Sequence, residues 1–233
     1  MPWTAPLKPA ELAESRLVAA IFDGSFPIGS NLPAERDLAA QLGVTRPTLR
    51  EALQRLGRDG WIEIRHGKPT RVRNYWQEGS LGVLSAIADH QQNLPADFVP
   101  NLLQVRCLLA PAYTRLAVER QPQAVSRLLE ETLRLNETPQ EYTVADWRLH
   151  YQLAIASGNP VFTLILNGFR ELYVVMGLRY FASPLSRAHS QRFYTALLDC
   201  ARRADAPAAA ALCEQVMRES IDTWQNMEES ADE

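Results

Sequence analysis

The chain has 233 residues, of which 46% are hydrophobic and 22% charged, with a formal net charge of −3. That length suits one large domain or two modest ones of ~100–200 residues, and the composition excludes disorder, a collagen repeat and a disulfide scaffold. No run approaches the ~20 uncharged apolar residues of a membrane span, the opening Met1-Pro2-Trp3-Thr4-Ala5-Pro6 lacks the order of a signal peptide, and three unclustered cysteines, Cys107, Cys200 and Cys213, suit a reducing compartment, so a cytoplasmic chain is expected.

In chain order, Leu12, Leu17, Val18 and Ile21 mark one face of a helix over 11–22 that Gly24 stops. Phe26-Pro27-Ile28-Gly29-Ser30-Asn31-Leu32-Pro33 has the composition of turns. A second helix is expected from Pro33 through Leu38, Ala39 and Leu42, ending at Gly43. Thr45 then caps a third, with Pro47 in its first turn and Leu49, Leu53 and Leu56 along one side. After Gly60 the pattern alternates over 61–65 and again over 69–73, around His66-Gly67-Lys68, which predicts two short strands and a tight turn. Three helices followed by a hairpin make a winged helix-turn-helix, since the glycine-bearing turn between helices two and three lets them cross steeply. Residues 1–76 are expected to form this domain.

Beyond Trp76 the period is helical almost throughout. Helices are expected over roughly 80–91, 96–119, 122–137, 141–157, 160–181, 184–204 and 206–227, with breaks at Pro95, Pro122, Pro139, Gly158-Asn159-Pro160, Pro184 and Pro207. The fold class is therefore mainly α: the winged domain, then over residues 77–233 an antiparallel bundle of about seven helices.

Charge is unevenly placed. Residues 36–73 carry 9 Lys and Arg against 4 Asp and Glu, whereas residues 77–233 carry 13 against 19. A basic N-terminal lobe suits a polyanionic partner. The third helix presents Thr45, Arg46, Thr48 and Arg50 in its first turns, where a recognition helix meets base edges in the major groove. Arg46 and Arg50 share a face, and a guanidinium fork hydrogen-bonds guanine O6 and N7 in a way lysine does not reproduce. Arg36, His66, Gly67 and Lys68 suit the sugar-phosphate edge, with Arg71 and Arg73 extending the positive strip. One half-site reader binds weakly, so a two-fold dimer on a palindromic site is expected.

The run Phe26 to Arg36, followed by Leu42-Gly43-Val44-Thr45-Arg46-Pro47-Thr48-Leu49-Arg50-Glu51-Ala52-Leu53, resembles the GntR family of bacterial regulators. Leu56-Gly57-Arg58-Asp59-Gly60-Trp61-Ile62 and His66-Gly67-Lys68-Pro69-Thr70 narrow the likeness to its FadR branch, the fatty-acid metabolism regulators. It continues through Asn101-Leu102-Leu103-Gln104-Val105-Arg106, Ala156-Ser157-Gly158-Asn159-Pro160, Leu164 to Gly168 and Tyr180 to Pro184, so it spans nearly the whole chain. The resemblance implies a homodimer on a pseudo-palindromic operator, released by long-chain fatty acyl-CoA, with no separate cofactor. Such regulators repress fatty-acid degradation genes and activate unsaturated fatty-acid synthesis genes. By position, the DNA contacts it implies are Arg36, Thr45, Arg46, Thr48, Arg50, His66, Gly67 and Lys68. Pro47 replaces a threonine of that branch, which removes one phosphate contact.

For the effector, the same resemblance implies that Arg106 pairs with a CoA phosphate while Tyr173, Tyr180, Ser220 and Trp224 line the pantetheine and acyl path. Leu102, Val105, Leu109, Leu166 and Phe169 suit a tunnel wall, although such stripes ordinarily form core. Met217 stands where the branch has glycine beside the ligand, and is expected to narrow the channel or shift its preferred chain length. Related regulators hold a metal through one aspartate and three histidines. Asp146 and His150 match two of these positions, but the others are Tyr194 and Val216, so a buried hydrogen-bonded pair is expected in place of a metal site; His90 and His189 are expected to be isolated and exposed. An alternative effector is a metal-assisted small carboxylate. An enzyme built on Asp146 and His150 is not expected, because no nucleophile motif, phosphate loop or sufficient ligand set accompanies them.

Overall fold

The computed structural model describes residues 8–65, 67–88, 94–134 and 138–232, the last five of these as backbone. His66 in the wing turn and His90 lie outside the described residues. The chain divides into two compact units, Met1–Leu94 and Pro95–Glu233.

In the first unit, helix α1 (Pro9–Phe22) starts where the Glu11 carboxylate accepts from the Lys8 N–H at 3.1 Å, and it buries Ala13, Leu17, Val18 and Ile21. Helix α2 (Glu35–Leu42) begins two residues later than expected: Pro33 and Ala34 are extended approach, and Ala34 is the N-cap. Gly43 closes α2 in the left-handed region at φ 68°, a conformation costly for residues with a Cβ. Helix α3 (Arg46–Asp59) follows at once, capped by Thr45, whose hydroxyl accepts from the Thr48 N–H at 3.3 Å. Leu49, Ala52, Leu53 and Leu56 all face inward, fixing which side of α3 is left for solvent. Gly60 ends α3 at φ 90°, and a Cβ there would stand 2.6 Å from the Glu78 carbonyl oxygen.

The hairpin is shorter than expected. Strands β1 (Ile62–Glu63) and β2 (Arg71–Val72) pair antiparallel, with Ile62 opposite Val72 and Glu63 opposite Arg71. A third edge comes from the segment expected to be pure turn. Asn31 bridges Arg71, the Leu32 N–H donates to Thr70 O at 2.8 Å, and the Val72 N–H donates to Ser30 O at 2.9 Å. The wing is thereby tied to the approach to α2, and Leu32, Trp61, Ile62 and Val72 are buried. Two short helices, α4 (Tyr75–Glu78) and α5 (Gly82–Ile87), complete the unit, with the Tyr75 and Trp61 rings 4.6 Å apart. Of the helices expected past Trp76, the first begins two residues later than expected, and the end of its expected span, 89–91, lies outside the described residues.

The second unit is built from α6 (Phe98–Arg120), α7 (Pro122–Thr132), α8 (Pro139–Ala156), α9 (Pro160–Tyr180), α10 (Pro184–Arg202) and α11 (Ala206–Asp232). Each of α7 to α10 has proline in its first turn, where the missing N–H costs nothing. The Thr138 and Asn159 side chains cap α8 and α9. Helix α6 packs mainly on α11, α8 on α9, and α7 on α10. Their shared core includes Leu129, Leu149, Leu153, Tyr194, Leu197 and Cys213. Among the described helices, α9 alone is long and apolar enough by composition to cross a membrane. It carries Arg170, Glu171 and Arg179, however, and its inner side faces a cavity. The three cysteines are free.

Candidate functional site

In the first unit, Arg46 is the first residue of α3 and is exposed. One turn on, the Arg50 Nε donates to Glu35 Oε2 at 2.7 Å, a pairing the sequence pattern did not suggest. Because only Nε is engaged there, both terminal nitrogens of Arg50 remain for a nucleic acid. Arg36 is three-quarters exposed and donates from Nε to Asp37 Oδ1 at 2.9 Å. The Thr45 and Thr48 hydroxyls share a hydrogen bond of 2.8 Å, so both serve the helix cap. In the wing, Gly67 is left-handed at φ 69° with open space around its Cα, and Lys68 and Arg71 are exposed. Arg73 departs from expectation: it is two-thirds buried and turns toward Glu78 at 3.9 Å. Lys68→Ala is expected to weaken DNA binding equally on all sequences and to lower the salt slope by about 0.9 for each phosphate that is no longer neutralised. Titrations at several salt concentrations check this.

The second unit contains a cavity of about 100 Å³. Arg106 from α6, Tyr173 and Tyr180 from α9, and Ser220 and Trp224 from α11 all line it, as do Asp146 and His150 from α8. Its walls include Leu102, Val105, Leu109, Leu166 and Phe169. Met217 is buried in the bundle core and is not among the lining residues, so no narrowing arises from its side chain directly. Tyr113, Trp147 and Met176 also line the cavity and were not singled out from sequence. Tyr113 lies two turns from Arg106 on the same helix face, a spacing that marks it in retrospect.

The polar side of the cavity is one connected network. An Arg106 terminal nitrogen donates to Asp146 Oδ2 at 3.1 Å and to His150 Nε2 at 2.8 Å. A guanidinium only donates, so Nε2 accepts and the ring proton sits on Nδ1, where it is given to the Tyr113 oxygen at 2.9 Å. The Tyr194 hydroxyl donates to Asp146 Oδ1 at 2.7 Å and the Tyr173 hydroxyl donates to Oδ2. The Asp146 and His150 side chains do not bond each other, contrary to expectation: His150 Nε2 stands 3.9 Å from Asp146 Oδ1, and Arg106 mediates between them.

These contacts set the charges. Burial, then the Arg106 guanidinium, push His150 down to about 4, so its ring is neutral at neutral pH. Burial works to raise the Asp146 carboxyl, but His150, Arg106 and the two phenols together hold it below the usual aspartate range. With His150 neutral, the guanidinium and phenols are what hold Asp146 ionised. A divalent ion does not fit this donor set. Both His150 nitrogens and both Asp146 oxygens are already engaged, a guanidinium occupies the cation position, and Val216 offers no donor atom. Among the described residues no group of three His, Cys, Asp or Glu could hold a metal. His189, expected to be isolated, sits 3.2 Å from Glu219.

Because His150 binds its proton more weakly folded than unfolded, its contribution to stability is complete above about pH 6.5 and is lost as pH falls toward 4. Asp146 acts in the same direction at lower pH. Stability, and with it the melting temperature, is expected to fall through that window, His150 contributing at most about 3 kcal/mol. In His150→Gln the fall should be shallower, which thermal scans from pH 7 to pH 4 measure.

Among the described residues, two further polar atoms lie at the cavity without hydrogen-bond partners, the Tyr180 hydroxyl and the Trp224 indole N–H. Ser220 and Ser186 come near the phenol, and the Ser220 hydroxyl donates to Val216 O at 2.8 Å.

Comparison with known proteins places these features. Residues 9–72 match the bacterial regulatory proteins of the gntR family, and residues 73–233 match the FadR C-terminal domain. The chain belongs to the FadR branch of the GntR family. The chain is 45% identical over 190 residues to a fatty acid metabolism regulator protein of Shewanella sp. strain MR-4, covering 81% of this chain and 78% of that protein. The likeness to the Pasteurella multocida protein of the same name is 40% over 220 residues, covering 94% and 91%. A solved structure of Lar, described as controlling expression of the Listeria monocytogenes agr system, shares the fold. Its TM-score is 0.65 at 16% identity, over 94% of this chain and 98% of that one. The two family matches meet between residues 72 and 73.

Proposed function

We propose that this FadR-type regulator binds a pseudo-palindromic operator as a homodimer and is released by long-chain fatty acyl-CoA. It is a DNA-binding transcriptional regulator of fatty-acid metabolism, a reading supported by its two family domains and by relatives named for that role. Residues 1–76 then carry operator recognition and residues 77–233 effector sensing, without enzymatic turnover and in the cytoplasm. Degradation genes are repressed, and unsaturated fatty-acid synthesis genes activated.

The observation that carries the effector reading is convergence. Arg106, Tyr173, Tyr180, Ser220 and Trp224, far apart in the chain, meet at one mostly apolar cavity. The unpartnered Tyr180 hydroxyl and Trp224 N–H suit the polar carbonyl end of a chain whose methylenes the aliphatic walls take up, at about 0.8 kcal/mol for each one buried. Arg106 meets Asp146, His150 and Tyr173 through one terminal nitrogen, which leaves its Nε and its other terminal nitrogen to meet a CoA phosphate. Release from DNA requires that the ligand favour the state in which the two recognition helices no longer match the half-sites.

The test is a gel shift of the dimer on its operator with and without oleoyl-CoA, paired with calorimetry against oleoyl-CoA and against citrate plus zinc. Heat and release with the thioester support the proposal. A response to citrate plus zinc alone defeats it and returns the small-carboxylate reading.

A further inference from the structure

Helix α6 changes character along its length. From Ala110 onward it buries Ala110, Tyr113, Thr114, Ala117 and Val118, whereas no residue from Phe98 to Leu109 is buried. That first part is nonetheless apolar, and Leu102, Leu103, Val105 and Leu109 line the effector cavity. Pro111 stands at the border. It has no N–H to give the Cys107 carbonyl, and its ring crowds that carbonyl, so one rung of the helix is missing between an anchored half and a loosely held one.

What holds the loose half down is Arg106. Its guanidinium reaches into the cavity to Asp146 and His150 on α8, and lies 5.4 Å over the Tyr173 ring on α9. The walls from α8 and α9 are anchored by Leu149, Leu153, Leu166 and Leu172, which are buried. The cavity, about 100 Å³, is below the ~300–1,000 Å³ of ordinary small-ligand pockets. One wall must therefore part before a long ligand enters, and the wall with least burial yields first.

We propose that residues Phe98–Leu109 form a lid over the effector cavity, hinged at Pro111 and latched by Arg106 on Asp146. Asp146 and His150 are then positioning residues that seat the Arg106 guanidinium. The identity of what enters rests on the acyl-CoA reading, but the lid itself does not.

Hydrogen exchange on the full-length protein without ligand tests the lid. Peptides covering 98–109 are expected to exchange about tenfold faster than those covering 112–120. Asp146→Asn should accelerate the first segment further and leave the second unchanged. Pro111→Ala supplies the missing N–H, and decides the matter even if Asp146→Asn unfolds the bundle. It should slow exchange over 98–109, and slow association and dissociation of oleoyl-CoA together with little change in their ratio. Equal exchange in the two halves of α6, or no response of 98–109 to Pro111→Ala, overturns the lid. A fast, substitution-sensitive 98–109 in a protein that ignores oleoyl-CoA refutes the acyl reading and leaves the lid standing. Oleoyl-CoA binding with a uniformly slow α6 does the reverse.

Discussion

Arg46→Ala is expected to abolish discrimination between the operator and a scrambled duplex while leaving the protein as stable as before. Arg46 opens α3 directly after the Thr45 cap and is exposed, so truncating it removes nothing from the core. Exposed substitutions of this kind change stability by no more than about 0.5 kcal/mol. A bidentate arginine–guanine contact discriminates by about 1–3 kcal/mol, and a two-fold dimer makes it at both half-sites. Anisotropy titrations with both duplexes measure the difference, and Arg46→Lys should behave like the alanine variant because charge without the planar fork does not read the base. Equal weakening on both duplexes would assign Arg46 to phosphate and refute its place in recognition. Arg50→Ala is the informative neighbour. It also frees Glu35, placing an uncompensated carboxylate near the DNA backbone, so the variant should combine reduced specificity with a general electrostatic penalty.

How much of this was legible follows from where each signal lies. The cap at Thr45, the left-handed turn at Gly43 and the inward leucines of α3 are set by neighbours within a turn or two, and local chemistry revealed them. The pairing of Asn31 with Arg71 was not legible, because a turn-like composition does not announce a strand partner forty residues away. Arg50 with Glu35 and Arg73 with Glu78 escaped notice because ion pairs depend on side-chain direction. At the effector site, the i, i+4 spacing of Asp146 and His150 was plain, but that both line the cavity was not. That Arg106 enters between them from another helix was not, since only packing of α6 against α8 brings it there. Pro111 was visible in the sequence, but an unbroken apolar period across it masked the change in burial that gives it meaning.

Tyr180→Phe is expected to move stability and effector affinity in opposite directions. The substitution deletes one oxygen and keeps the ring, so packing beside Phe181, 5.1 Å away between ring centres, is preserved. In the free protein that hydroxyl is buried without a hydrogen-bond partner, a state that costs about 1–3 kcal/mol of desolvation. Deleting it should therefore raise the melting temperature, by about 2–4 °C for each kcal/mol recovered in a chain of this size. If the hydroxyl meets the polar end of the acyl chain, the same deletion removes a hydrogen bond and weakens oleoyl-CoA binding by about 0.5–1.5 kcal/mol. Operator affinity without ligand should not change. A uniform fall in stability, affinity and operator binding would mean that the phenol is simply part of the bundle's packing. A raised melting temperature with unchanged oleoyl-CoA affinity would instead place the thioester elsewhere along the cavity, leaving Trp224 as its donor. Trp224→Ala cannot make this separation, because removing a buried indole costs about 3–5 kcal/mol whatever it touches. The single-oxygen change is the sharper probe, because it removes the polar atom and leaves the ring in place.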